Sequence, residues 1–109
     1  MTKLATNKSA KTMTTAYNVS EHLRTPEERA AYLDAWLEEA PEDAAGIARA
    51  LGDIARAKGM SQVAKDAGLS RESLYRALSA EGNPSFATVL KVAKALGVRL
   101  HAQAVPSGV

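Results

Sequence analysis

The stretch 61–78 constrains the fold of this chain more than any other part of it. It reads SQVAKDAGLSRESLYRAL. Val63 and Ala67 are four residues apart, so they share one face of a helix. Leu74 and Leu78 have the same spacing and predict a second helix. The stretch is therefore expected to form two short helices, each with one apolar face.

The middle of this stretch predicts a tight turn between the two helices. Gly68 accepts the positive φ that ends a helix abruptly, and Ser70 can cap the next helix with its hydroxyl group. Ala64 is small enough to let the two helices cross closely. Together these residues predict a helix-turn-helix in which residues 68–70 form the turn.

The outward positions of the second helix carry side chains that can form hydrogen bonds. They are Arg71, Glu72, Ser73, Tyr75 and Arg76. Side chains of these types can reach base edges in the major groove of DNA, which favours a DNA-binding function. The alternative is an ordinary helical hairpin whose polar face is simply solvated.

Length and composition limit the class of protein. A chain of 109 residues favours one small domain, and with one Trp, three Tyr and one Phe its core must be aliphatic. There is no cysteine, so we expect neither disulfides nor a thiolate metal site. No segment resembles a signal peptide or an apolar membrane span of about 20 residues, so we expect a cytoplasmic protein with no membrane contact.

The net charge of +2 conceals a marked asymmetry along the chain. Residues 1–20 carry three lysines and no acid, residues 21–43 have a net charge of −6, and residues 44–109 have a net charge of +5. A basic half suits a polyanion, and an acidic segment suits a basic partner. The chain is expected to have two functional faces.

The N-terminal part divides into a tail and an acidic helix. Residues 1–13 lack apolar periodicity and are predicted to be a disordered tail, and residues 14–41 are predicted to form an arm followed by a helix. Thr25 is a good N-cap, Pro26 suits the first helical position, and Glu28 completes a capping box. The apolar stripe of this helix consists of Tyr32, Leu33, Trp36, Leu37 and Ala40.

Residues 42–105 are predicted to form the helix-turn-helix domain of an all-α, five-helix bundle. A supporting helix precedes the two motif helices, and Ser85 caps a last helix. The predicted inner face of that last helix consists of Phe86, Val89, Leu90, Ala93 and Leu96. Residues 98–105 alternate like a short strand, whose edge could pair with a second copy or with the arm at residues 17–19.

Residues from about 44 to about 100 resemble the Xre/Cro-type helix-turn-helix domain, a lambda-repressor-like fold. The matching positions are Ala64, Gly68-Leu69-Ser70, Leu74, Asn83-Pro84-Ser85, Leu90, Ala93 and Ala95-Leu96-Gly97-Val98. Xre-type domains often begin the first motif helix with Thr-Gln, and Gly59 and Met60 occupy those places here. Gln62 lies two residues later, so it does not simply inherit the phosphate contact of the family glutamine.

More narrowly, the chain resembles the HigA-like addiction-module antidote proteins. The runs that carry this resemblance are LGDIARAKGMS at 51–61, GLSRESLY at 68–75 and GNP at 82–84, with Tyr32-Leu33 and Ala35 upstream. The resemblance extends from about residue 17 to about residue 104. It implies an antitoxin that binds a RelE/HigB-type ribonuclease toxin and represses its own operon.

By register with the Xre/Cro-type domain, Arg71, Glu72 and Arg76 are the expected base readers. Arginine can clamp a guanine and glutamate can accept from cytosine, although Glu72 could instead pair with Arg76 one turn away. Tyr75 could contact a thymine methyl group or a phosphate. The expected phosphate contacts are Gln62, Ser70, Ser73, Asn83 and Ser85, although the serines and the asparagine can equally serve as helix or turn caps.

The acidic helix is the candidate surface for a basic toxin. The residues assigned to it are Tyr17, Tyr32, Trp36, Glu38 and Glu39, because tyrosine and tryptophan are common interface anchors. The simpler interpretation is that the acidic residues form a solvated face and that Trp36 belongs to the core. Both histidines lie outside any ligand spacing and no phosphate-binding glycine loop occurs, so we expect neither an enzyme nor a cofactor.

The sequence therefore predicts an antitoxin that binds operator DNA as a homodimer, since one short recognition helix buries too little surface for tight specific binding. The first alternative is a stand-alone Xre-type repressor without a toxin. The second alternative is a scaffold that binds protein only.

Overall fold

The computed structural model describes residues 23–79 and 81–106, and all regular structure within them is helical. The helices are α1 (Pro26–Glu39), α2 (Ala44–Lys58), α3 (Met60–Ala67), α4 (Arg71–Ala77) and α5 (Phe86–Ala95). α3 is central, since it packs against α2, α4 and α5, and α1 packs against α2. The predicted tail at residues 1–13 and the proposed toxin contact Tyr17 lie outside the described residues.

The helix ends follow from local chemistry, as the sequence predicted. At the start of α1, the Thr25 side chain accepts from the Glu28 amide at 3.1 Å, and the Glu28 carboxylate accepts from the Thr25 amide at 3.0 Å. This is the predicted capping box, which satisfies two amide groups that a helix start leaves unpaired. Gly68 ends α3 with φ 72°, in the left-handed region, as expected of the turn glycine.

The core is aliphatic, as the shortage of aromatic residues required. The largest fully buried side chains are Leu23, Ile54, Leu74, Leu96, Val63 and Val92. They come from the segment before α1 and from α2, α3, α4 and the end of α5. Each such leucine, isoleucine or valine contributes about 1.5–3 kcal/mol relative to an exposed position. The burial of these residues is therefore what fixes α4 and α5 against α3.

The predicted C-terminal strand is not present, and that part of the fold assignment was wrong. Residues 98–106 form no strand within the described part of the chain. Val98 and Leu100 are half-buried against the core, whereas Arg99 and His101 are exposed. The alternation of the sequence is thus real, but it arises from an extended segment that lies along helices. A strand needs a neighbouring strand for its hydrogen bonds, and none lies beside this segment among the described residues.

The predicted inner face of α5 was wrong at two positions. Phe86 is 70% exposed and Leu90 is 45% exposed. The predicted Ala93 and Leu96 are buried and Val89 packs against the core, and Val92 and Ala95 complete the buried face. Apolar residues occupy more than one face of this helix, and periodicity alone does not tell which face the core takes.

Candidate nucleic-acid interface

α3, the turn at residues 68–70 and α4 form one compact unit. The Leu69 amide donates to the Ala64 carbonyl at 2.9 Å, which closes the turn back onto α3. Within the seven residues of α4, Leu74 alone is buried, and Leu78 follows it into the core one turn later. α4 is consequently attached along one narrow line. Ser73 and Ala77 are half-buried beside this line, and Arg71, Glu72, Tyr75 and Arg76 are exposed.

Ser70 caps α4, which was the alternative to a phosphate contact. Its Oγ accepts from the Ser73 amide at 3.0 Å, and Ser73 itself is half-buried. The cap satisfies one of the amide groups that a helix start leaves unpaired. The two serines therefore shape the N-terminal end of α4, where Arg71 and Glu72 are exposed.

Arg71 and Tyr75 form an ordered pair on the exposed surface of α4. The Arg71 guanidinium carbon lies 5.4 Å from the centroid of the Tyr75 ring. Arg71 Nη2 also lies 3.4 Å from the Tyr75 hydroxyl oxygen, to which it donates a long hydrogen bond. Stacking of this kind restricts the arginine to fewer rotamers before any ligand arrives.

Glu72 and Arg76 are both exposed, and they are not paired with each other. No ion pair links the Glu72 carboxylate to the Arg76 guanidinium in the part of the chain that the structure describes. The four-residue spacing allows such a pair on a helix, so this was a fair alternative from the sequence. Both side chains extend into solvent and are available to an external partner.

The outlying candidates are placed less favourably than α4. The Gln62 amide donates to the Asp66 carboxylate at 2.9 Å, so it is engaged one turn along its own helix. Ser85 caps α5 by accepting from the Thr88 amide at 3.1 Å, and Asn83 is exposed in the preceding loop. That loop is tightly packed, because a Cβ atom on Gly82 would collide with the carbonyl oxygens of Arg76 and Ala77.

The acidic face of α1 is a second candidate surface. Glu38 and Glu39 are exposed at its C-terminal end. Trp36 is half-buried, and the Arg49 guanidinium carbon of α2 lies 5.9 Å from the centroid of its ring. The ring also lies so close to Gly46 that a Cβ atom there would collide with it. Trp36 thus joins α1 to α2 and presents only part of its ring to a partner.

Tyr32 is tied to the interior of the protein. Its hydroxyl donates to Asp53 Oδ2 at 2.8 Å, and Asp53 Oδ1 pairs with Arg56 at 3.1 Å. Burial, followed by the hydrogen bond to Asp53, raises the pKa of Tyr32 to about 12. Of the proposed toxin contacts, Tyr32 and Trp36 are four residues apart and share one side of α1, and Glu39 is the next neighbour of Trp36 along the helix. Glu38 is two residues from Trp36 and lies on a different side of α1.

The sequence profile of a family described as "Probable addiction module antidote protein" matches residues 13–104. The chain belongs to this family. It is also 54% identical over 87 residues to an uncharacterised protein of Haemophilus influenzae, which covers 80% of this chain and 88% of that relative. No solved structure shows significant similarity to the chain. An addiction-module antidote implies a toxin partner of some kind, which the sequence resemblance also predicted.

Over residues 23–79 and 81–106, no helix is long and apolar enough to cross a membrane. Over the same residues, no group of three or more His, Cys, Asp or Glu side chains is arranged to hold a metal ion.

Sequence reasoning missed two contacts that position α1 in the antidote. Asp53 holds the Tyr32 hydroxyl across 21 residues of chain, and Arg49 covers Trp36. Neither contact leaves a local signal, because each joins residues of different helices. Both partners come from α2, so α2 is the helix that fixes the candidate toxin surface.

The Tyr32–Asp53 bond should make the stability of the antidote sensitive to alkaline pH. Burial and the hydrogen bond to Asp53 raise the pKa of Tyr32 to about 12 in the folded state, against an ordinary value of 10.0, so the tyrosine of the unfolded state loses its proton first. The buried, protonated Tyr32 therefore stabilises the fold fully below pH 10 and progressively less towards pH 12. Wild type should lose roughly 1–2 kcal/mol more than Tyr32→Phe across this window, a figure reduced for partial exposure.

Chemical unfolding of both proteins at several pH values measures this difference. Near neutral pH, Tyr32→Phe should be less stable by about 1 kcal/mol, since it lacks the hydrogen bond. The two stabilities should converge as the pH rises. A gap that stays constant from pH 8 to pH 12 would contradict the raised pKa.

Proposed function

We propose that this chain is the antitoxin of a type II toxin-antitoxin module, of the HigA-like kind, and that its helix-turn-helix is of the Xre/Cro type. On this proposal it neutralises a RelE/HigB-type ribonuclease and represses its own operon as a homodimer. It is a binding protein and not an enzyme. The observation that carries the DNA-binding half is the arrangement of α4, whose buried contact is Leu74 and whose outward side chains are polar or charged.

The N-terminal end of α4 is the part that would enter a major groove. A helix-turn-helix reads bases mainly from the start of its second helix. Arg71 and Glu72 occupy that start, and Arg76 follows on the next turn. The stacked Arg71 is already ordered, so it would lose less conformational freedom when it clamps a guanine.

The phosphate contacts would surround this reading surface. Ser70 lies at the start of α4, and Asn83 and Ser85 lie in the loop that packs behind the end of α4. Hydroxyl and amide groups at helix starts suit phosphate oxygens because the helix dipole is positive there. Lys65 of α3 is exposed and adds positive charge to the same unit.

The toxin-binding half rests on the acidic face of α1. Residues 21–43 have a net charge of −6, Glu38 and Glu39 are exposed at the C-terminal end of α1, and Trp36 is partly exposed. Such a surface would attract a basic ribonuclease over a distance and hold it through the aromatic ring. Because α1 packs on α2 and α4 packs on α3, toxin and DNA can occupy different surfaces at once.

The DNA-binding half is tested with the full chain and the DNA upstream of its gene. In a gel-shift titration at a stated salt concentration, that DNA should bind at least a hundredfold more tightly than a scrambled sequence of equal length. Equal affinity for both sequences would overturn the repressor assignment. A stand-alone repressor is the second candidate, and co-purification with a small basic ribonuclease encoded by the adjacent gene separates the two.

Reversing the charge of Glu38 and Glu39 tests the toxin-binding half. Glu38→Lys/Glu39→Lys should slow toxin association at least tenfold at low salt, because electrostatic steering is lost. Both positions are exposed, so the fold should be unaffected. The measurement is surface plasmon resonance at two salt concentrations, since steering weakens as salt rises.

The matched control for this variant is Glu72→Lys. It reverses an exposed carboxylate on α4 and should leave the toxin association rate unchanged. It should also alter DNA binding, which Glu38→Lys/Glu39→Lys should spare. An unaltered association rate for the reversed α1 variant at low salt would show that charge steering through this face is wrong.

A further inference from the structure

Tyr75 differs from the other outward side chains of α4 because it is aromatic and is held by a neighbour. Its side chain is 42% exposed and does not belong to the core. Within the described part of the chain, Tyr75 forms one side-chain hydrogen bond, which it accepts from Arg71. The specific interaction of this ring is therefore with an arginine and not with the protein interior.

The geometry of the Arg71–Tyr75 pair identifies the ring, rather than the hydroxyl group, as the main contact. The guanidinium carbon lies 5.4 Å from the ring centroid, inside the limit of about 6 Å for a cation–π contact. The hydrogen bond from Arg71 Nη2 to the Tyr75 hydroxyl oxygen is 3.4 Å long, whereas such bonds are usually shorter than about 3.2 Å. The ring thus occupies one side of the guanidinium group.

The other side of the Arg71 guanidinium group is open. Its side chain is exposed, and it forms no further hydrogen bond or ion pair among the residues that the structure describes. A guanidinium group is planar, so a ring on one side and an open face on the other make it a two-sided element. The open face is available to a second stacking partner.

DNA supplies such a partner next to a guanine. An arginine that binds guanine donates to O6 and N7 together, which places the guanidinium group in the plane of that base. The pyrimidine on the 5′ side of the guanine then overlaps one guanidinium face with its C5 edge, so a protein ring can occupy only the opposite face. Among the four bases, thymine alone carries a methyl group at this edge in the major groove.

We propose that Tyr75 is a positioning residue, which holds Arg71 for a guanine that follows a thymine on the same strand. The pair then reads the two-base step 5′-TG-3′, with the thymine methyl group packed on the open face of the guanidinium group. This proposal rests on the proposed function, because it requires α4 to enter a major groove. 5-Methylcytosine carries the same methyl group, so the pair should also distinguish a methylated CG step from an unmodified one.

Two other causes would also produce a preference for thymine. The TG step bends easily, so a protein that deforms its site can favour it without touching the methyl group. The Tyr75 ring could also contact the methyl group directly. Removal of the methyl group alone excludes the first cause, and the dependence of the effect on Arg71 excludes the second.

The position that Arg71 reads is found by selection from a randomised pool of DNA duplexes. Full-length wild type and Arg71→Ala are compared, and the guanine that only wild type enriches is the one bound by Arg71. Wild type should enrich thymine immediately 5′ to this guanine. Enrichment of no sequence by wild type would overturn the proposed function as well, whereas an enriched guanine without a preferred 5′ neighbour would overturn the TG reading alone.

Replacing that thymine by deoxyuridine removes the methyl group and keeps the base pair. Wild type should bind the deoxyuridine site about fourfold less tightly, which corresponds to the burial of one methyl group. Tyr75→Leu should weaken binding to the thymine site about threefold, because the cation–π contact is lost. It should also reduce the methyl effect to less than about twofold, since the guanidinium group is no longer held. Tyr75→Phe keeps the ring and should retain most of the methyl effect.

Arg76→Ala is the matched control, because it removes an exposed arginine of α4 that no aromatic ring covers among the described residues. It should weaken binding to both sites and leave their ratio unchanged. Thermal melting followed by circular dichroism checks that every variant folds. A methyl effect of equal size in wild type and Tyr75→Leu would overturn the positioning role.

Methylated DNA provides the last measurement. With a CG step in place of TG, wild type should bind the 5-methylcytosine site about fourfold more tightly than the unmodified site. Equal affinities would overturn the methyl contact. A methyl effect that persists in Arg71→Ala would overturn the pairing as well, because it would assign the contact to a different side chain.

Discussion

Replacing Arg71 and Arg76 together with alanine should abolish specific binding to the upstream DNA while the fold stays intact. Both guanidinium groups are exposed on α4, and neither contacts the core. A bidentate arginine–guanine contact is worth about 1–3 kcal/mol, so the pair should cost roughly 30-fold to 20,000-fold in affinity. The free energy of unfolding should change by less than about 0.5 kcal/mol, since surface substitutions of this kind are nearly neutral.

The single variants divide this loss between the two arginines. Arg71→Ala also removes the stack on Tyr75, so Tyr75→Phe shows how much of its effect is ordering through the hydroxyl contact. Arg24→Ala is the control, because it removes an exposed arginine ahead of α1. Gel-shift titrations on specific and scrambled DNA provide the measurement. If both single variants bind the specific DNA as wild type does, α4 is not the reading helix.

Leu74→Ala should destabilise the protein by about 2–5 kcal/mol. Leu74 is completely buried and is the one buried residue within α4. A helix of seven residues is unstable in isolation, so α4 depends on this contact to remain folded. Truncation to alanine leaves a cavity between α3 and α4. Because Leu74 is the one buried residue of α4, this helix is poorly able to close the cavity.

Urea unfolding monitored by circular dichroism measures this loss. Leu37→Ala is the matched control, since Leu37 is 39% exposed and should cost less than about 1.5 kcal/mol. Leu74→Ala should also bind DNA weakly, but for a different reason from the arginine variants. Its affinity should recover on stabilisation with an osmolyte, whereas that of Arg71→Ala/Arg76→Ala should not. A cost below 1 kcal/mol for Leu74→Ala would show that α4 is held by other contacts.

The local features of the fold were predictable because their causes are local. Thr25, Ser70 and Ser85 cap the helices they were expected to cap, and Gly68 adopts the expected left-handed conformation. Each signal depends on residues within about four positions of one another. For this reason the starts of α1, α4 and α5 and the end of α3 were predicted correctly.

The features that depend on distant contacts were not predictable. The complete burial of Leu23 before α1 leaves no trace in the periodicity, and neither does the Tyr32–Asp53 bond. Phe86 and Leu90 were assigned to the core for a different reason. Both are apolar residues at helical spacing, and such residues occur in cores and at interfaces alike. The alternation at residues 98–101 was recognised, but alternation also arises where an extended segment lies on helices.

The tight packing of Gly82 has a consequence for how this chain can vary over evolutionary time. Any side chain at this position would push against the carbonyl oxygens of Arg76 and Ala77, at the end of α4. A single substitution in this loop would therefore displace the end of α4. If α4 reads DNA as proposed, its contacts would shift together, so changes to the outward side chains of α4 are the less disruptive route to a different recognised sequence.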